Sequence, residues 1–279
     1  MNNRGFTLIE VLVALVISGL LAGVTFQLVR GQERFVGMQS AREEVQQNGR
    51  AALELISAEL RGVNAEGIDS AGTDYVRFRI PRAWGLVCGA GATAGSVAVV
   101  FPGTDLSPFR SGTANADSLA VRDSTPGLAT RYSFSPVADA TPTAGSGAAL
   151  CPGLTPDAGR VQVRTLTGVP ASFPVQLGEP AYLYDVVAYD VGTSNVPGDW
   201  LRRKDSGTAQ PLAGPLGTDA AGPVFRLRYY DAAGAEIVQP LDAADRASIA
   251  SIQIRVTAAS RSSNPRQEFS DSTRVHLRN

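Results

Sequence analysis

From Phe6 to Val29 the chain runs for twenty-four residues with a single charge, Glu10, and no proline. As a helix rising 1.5 Å per residue, that stretch reaches about 36 Å, enough to cross a hydrocarbon core of about 30 Å with some tilt. Such a segment has to be buried in lipid or against other apolar helices, which constrains the chain more than any other feature. The competing reading is a secretory signal peptide with Met1 to Arg4 as its basic start. Three features oppose it. The run exceeds the roughly 7–15 apolar residues of a signal peptide, it lacks a small-x-small cleavage site before the chain turns polar, and it carries an acid near its start. A carboxylate at the start of a span costs about 2–3 kcal/mol if buried, so it implies a partner and a task.

Beyond the span, charges begin at Arg30, Glu33 and Arg34, while apolar or small residues recur in steps of three and four. The stripe runs through Phe35, Met38, Ala41, Val45, Gly49, Ala52, Ile56, Leu60 and Val63. This period predicts an uninterrupted helix from Phe6 to about Arg61, some 80 Å long. Its opposite face, with Arg42, Glu43, Arg50, Glu54 and Glu59, reads as solvated, and Glu43 and Glu44 beside Arg42 read as part of that face and not as a ligand cluster. Gly19 and Gly23 are either a small-xxx-small pair for close helix approach or ordinary glycines of a span.

From Gly62 onward the period changes to two. Tyr75 to Ile80 alternates β-branched and aromatic residues with arginine, and further strands are expected at 96–101, 117–122, 129–135, 160–166, 181–190, 224–230, 249–258 and 268–277. Glu236 starts another strand, and 242–247 reads as a short helical turn. The stretches 102–116, 136–159, 192–199 and 205–223, rich in Gly, Pro, Ser, Ala and Thr, read as loops. The expected fold class is α+β, one long N-terminal helix packed on a mostly antiparallel β-sheet domain spanning 64–279.

Candidates for chemistry are few. With two cysteines, two methionines and one histidine, metal centres and Fe–S clusters have almost no ligands available, and no metal site or cofactor is expected. His276, the sole histidine, reads as solvated on a sheet face. No nucleophile elbow, zinc-protease, phosphate-loop or EF-hand motif occurs, so no catalytic residue is assigned and an enzyme is not expected. Asp185 and Asp190, five apart in one strand, fall on opposite faces and do not read as a shared site. Arg202-Arg203-Lys204 beside Trp200 reads as a solvated edge. A net charge of −1 does not indicate nucleic acid as a partner. If the domain lies outside the cytoplasm, Cys88 and Cys151 are expected to form a disulfide, with two separately buried thiols as the alternative.

Gly5-Phe6-Thr7-Leu8-Ile9-Glu10, after a short leader with one positive charge and before an apolar helix, resembles the type IV prepilin signature. The resemblance implies a leader of residues 1–5, cut after Gly5 by a membrane-embedded prepilin peptidase that also N-methylates Phe6. It implies a membrane and filament-core helix over 6–29 with an amphipathic continuation over 30–63. It also implies that Glu10 pairs with the N-terminal amine of a neighbouring subunit. More weakly, the stretches 227–257 and 273–279 are similar to the C-terminal sheet of PilW-like and J-type minor pilins. The implied role is a minor type IV pilin, with a J-type pseudopilin of type II secretion as the alternative. The implied partners are other major and minor pilins and an assembly platform in the bacterial inner membrane, with the domain outside the cytoplasm. A membrane-anchored ligand-binding module that is never cut is the reading from a different class.

Overall fold

The computed structural model describes residues 8–90, 94–102, 118–123, 131–136, 140–142, 151, 161–170, 173, 175–195, 197–205, 209–261 and 266–278. Helix α1 (Leu8–Leu60) is unbroken over 53 residues. No proline interrupts it, and it ends in a turn at Arg61 and Gly62 whose amides bond back to Ser57 and Glu59.

Ten strands then form one sheet: β1 (Ile68–Ala71), β2 (Val76–Ala90), β3 (Ser96–Pro102), β4 (Ser118–Asp123), β5 (Arg131–Pro136), β6 (Ala140–Pro142), β7 (Val161–Thr167), β8 (Pro180–Thr193), β9 (Asp199–Lys204) and β10 (Ala209–Ala213). A ribbon of β11 (Thr218–Asp219) and β12 (Gly222–Pro223) leads to a four-stranded sheet. That sheet holds β13 (Phe225–Tyr230), β14 (Glu236–Ile237), β15 (Ser251–Ala259) and β16 (Glu268–His276). Helix α2 (Ala243–Ser248) precedes β15 and is capped by Asp242 and Asp245, each accepting the other's backbone amide.

The long strands β2 and β8 pair from Val76↔Tyr189 to Leu86↔Pro180 and are the axis of the larger sheet. Each takes two short partners on its outer side. On β8 these are β9 at 188–193 and β4 at 181–184, and on β2 they are β1 and β3. The axis therefore serves two cores. At one end Phe78, Val187 and Tyr189 pack with Ile56 and Leu60 of α1 and with Phe225, Leu227 and Ile254 of the smaller sheet. At the other, Val87, Val99, Phe101, Leu119 and Leu183 form a separate core under Phe173 and Val175.

Four expectations need correcting. The strand at 75–80 continues to Ala90, because past Pro81 the buried Ala83 keeps pairing with β8 at Leu183 and the buried Val87 pairs with β3 at Val99. The loop expected at 136–159 contains β6, paired with β7, and the loop expected at 205–223 contains β10 and the β11–β12 ribbon, with β10 carried as an edge strand through Pro211. The solvated edge expected at Arg202-Arg203-Lys204 is β9, paired on both sides, with its cations held by acids of neighbouring elements.

Candidate functional site

Residues 8–37 of α1 are all exposed. Their apolar side chains project without cover, from Leu8 at 85% to Val29 at 43%. Two hydroxyls in this half are satisfied within the helix. Ser18 Oγ donates to the Ala14 carbonyl at 2.7 Å and Thr25 Oγ1 to that of Leu21 at 2.8 Å, so neither hydroxyl opposes burial in hydrocarbon. Gly19 and Gly23 have open space around them, which leaves room for a second helix. Glu10 lies in the first described turn, where the helix dipole favours a carboxylate. The Arg30 guanidinium folds back over the Phe26 ring at 4.3 Å, an arrangement that suits the boundary between an apolar and an aqueous phase.

The second half is mounted on the domain. Val45, Gly49, Ala52, Leu53, Ile56, Ser57 and Leu60 are buried, packed on β15, β16 and β10. Gly49 permits the close approach, since a Cβ there would stand 3.0 Å from the Phe269 ring. The stripe predicted from the sequence is thus buried only from Val45 on, and Phe35 lies beyond the domain at 56% exposure.

Glu59 is not on a solvated face. It accepts from the Tyr189 hydroxyl at 2.6 Å and from Arg203 Nη2 at 2.9 Å, and Arg203 also reaches Asp205 at 3.0 Å. One carboxylate on α1 thereby locks β8 and β9 to the helix. Burial and the Glu59 bond hold the Tyr189 phenol well above its ordinary value. Burial acts to lower the Arg203 guanidinium, and the bond to Glu59 more than reverses it. Two further ties reach residues flanking β15 and β16, Arg42 Nε to Gln267 at 2.8 Å and Arg261 to Glu44 at 3.6 Å. Sequence reasoning missed this cluster, because Glu59 follows the charged spacing of the helix and its partners lie more than a hundred residues away.

The other predicted residues sit as follows. Gly5 and Phe6 lie outside the described residues. Cys88 and Cys151 are joined as a disulfide, which overturns the alternative of two separate thiols, and the bridge packs with Val100 and Val163. Asp185 and Asp190 do not share a site: Asp185 takes Arg82 at 2.7 Å, and Asp190 takes Arg202 at 2.9 Å together with Lys204. His276 is exposed at the end of β16, opposite Ser251. Among the described residues, no group of three or more His, Cys, Asp or Glu is placed to hold a metal. A cavity of about 400 Å³ beside the second core is lined by Val87, Val97, Val169 and Phe173, and among the described residues it offers no titratable side chain.

Residues 1–26 match the family model of the prokaryotic N-terminal methylation motif. The chain is type IV pilin- or pseudopilin-like. No curated protein and no solved structure matches it. The motif implies that this pilin-like chain is processed by prepilin peptidase and assembles with other pilins. Among the described residues α1 is the one helix long and apolar enough to cross a membrane, and with the motif it suggests membrane anchoring.

Proposed function

We propose that this pilin-like chain is a minor type IV pilin, a non-enzymatic subunit that helps initiate or assemble a filament serving adhesion, motility or DNA uptake. Prepilin peptidase cuts after Gly5 and the new N-terminus, Phe6, is methylated. The chain waits in the bacterial inner membrane on residues 6–29, with its domain outside the cytoplasm, and then exchanges lipid for neighbouring helices through the inner-membrane assembly platform. Glu10 pairs with the Phe6 amine of an adjacent subunit, since an amine and a carboxylate in an apolar bundle are each costly alone and together enforce register.

The observation that carries this reading is the bare apolar half of α1, continuous with a half that is locked to the domain. An anchor alone would need the first half and not the rigid mounting of the second. The large β-rich domain favours a low-copy position over a place at every lattice point, a step that rests on analogy at the level of the fold.

Mass spectrometry of the N-terminal peptide, from native membranes with and without prepilin peptidase, tests the reading. A peptide beginning at Phe6 with one added methyl, dependent on the peptidase, is the expected result. A peptide still beginning at Met1 in peptidase-positive cells would sink it and favour an uncut, membrane-anchored ligand-binding module.

A further inference from the structure

The smaller sheet turns its buried face, with Phe225, Leu227, Ile252 and Ile254, toward α1 and the first core. Its outer face is hydrophilic and cationic. Register places Arg226 directly opposite Arg255, and in the next row Arg228 and Arg274 flank Gln253. Strands lie about 4.8 Å apart and alternate residues about 6.8 Å apart, so the four arginines occupy a patch about 10 Å wide. The whole chain carries a net charge of −1, so the patch is a local concentration and not a reflection of general basicity.

Arg274 and Arg255 are held by neutral groups, whereas Arg226 is tied back to the Pro223 and Phe225 carbonyls. Arg274 donates to Ser251 Oγ at 2.9 Å and lies over the Tyr230 ring at 4.0 Å, and the Tyr230 hydroxyl is fixed by Gln253 at 2.9 Å. Among the described residues Arg255 reaches Ser270 Oγ, at 3.5 Å. Carboxylates touch the patch from its rim, Asp219 at 3.2 Å from Arg226 and Glu236 at 3.8 Å from Arg228. Like charges directly opposite on paired strands cost stability, so Arg226 beside Arg255 is not something the fold requires.

We propose that this outer face is a polyanion-binding surface that grips the phosphodiester backbone of a nucleic-acid strand, with Arg228, Arg255 and Arg274 as its main contacts. Guanidinium forks match phosphate oxygens in pairs, and the Gln, Ser and Tyr groups between them are the neutral donors that accompany phosphate and sugar contacts. The rows carrying the arginines hold no large aliphatic side chain. A bilayer-inserting surface needs an apolar wedge, and a protein interface of ordinary stability needs an apolar centre. The inference stands apart from filament assembly, because it concerns the isolated chain.

The test uses the full chain in detergent micelles and a fluorescein-labelled oligothymidine, read by anisotropy between about 50 and 200 mM salt. The expected result is salt-sensitive binding that weakens at least about tenfold in R255Q/R274Q, with the log–log salt slope falling by about 0.7 for each phosphate contact removed. R34Q, on the exposed helix, should bind as the parent does, and R255K/R274K, which keeps the charge but loses the forks, should fall between the parent and R255Q/R274Q. Near-ultraviolet circular dichroism checks the fold of each variant. Should the double variant misfold, the single R228Q, at a side chain 63% exposed, gives the same reading. Absence of binding, or binding that these substitutions leave unchanged, overturns the proposal. So does stronger competition, per phosphate, by phosphatidylglycerol vesicles than by unlabelled oligothymidine, which would assign the face to lipid.

Discussion

The two halves of α1 belong to one unbroken helix and face opposite demands. Residues 8–37 present apolar side chains with nothing from the domain against them, whereas Val45 to Leu60 bury a narrow stripe under two sheets. The first half is apolar around most of its circumference, which suits an environment of lipid or neighbouring helices on every side. The second is amphipathic and pinned by Glu59, Arg42 and Glu44. Backbone hydrogen bonding is the same throughout, so the side chains alone decide which part of the helix belongs to the domain and which is left for assembly.

That contrast is broken or sharpened by four substitutions or conditions. The largest effect is expected from Glu10→Ala, which should reduce incorporation into sheared filaments more than tenfold while leaving the thermal unfolding of the domain unchanged. A lowered melting temperature would show that the first half does contribute to the domain. Next, Ile56→Ala, at a fully buried position, should cost about 2–5 kcal/mol in urea unfolding, whereas Leu20→Ala should stay within about 0.5 kcal/mol. Equal losses at the two sites would erase the distinction. Glu59→Ala strands the Tyr189 hydroxyl and the half-buried Arg203, and should cost about 2 kcal/mol by the same measurement, with Glu54→Ala as the solvated comparison.

The last prediction concerns pH. Burial, joined at Tyr189 by its bond to Glu59, holds the Tyr189 and Tyr229 phenols above their ordinary value of 10.0. Above pH 10 the unfolded chain releases protons that the folded chain keeps, so stability is fully present below that point and falls as pH rises beyond it. Each phenol contributes a slope of up to about 1.4 kcal/mol per pH unit. Tyr189→Phe should flatten the alkaline limb of a stability profile and leave its neutral region parallel to the parent, whereas an unchanged slope would remove Tyr189 from this account.

Much of this architecture was readable in advance. The span needed only a count of apolar residues, and the amphipathic stripe only their spacing, because both depend on neighbours within a turn or two of helix. The strands at 96–101, 181–190, 224–230 and 249–258 announced themselves by alternation for the same reason. What escaped was β10, a short edge strand through Pro211 with no apolar pattern of its own, and the role of Arg203, which looked like surface charge until β9 brought it to Glu59. Cys88 and Cys151 left two readings open because 63 residues separate them, and only the pairing of β2 with β3 and of β3 with β7 builds the pocket of Val100 and Val163 in which they meet.

The sequence alone determined the apolar span, its single acid, the Gly5-Phe6 junction and the helix that extends them, since each is a property of consecutive residues. Tertiary structure decided where the helix stops being free, which of its carboxylates is a structural tie, and that Arg226, Arg228, Arg255 and Arg274 share one face. The physical reason is that strand register is set by hydrogen bonds between distant segments, and a slip of one residue would turn each of these side chains to the opposite face.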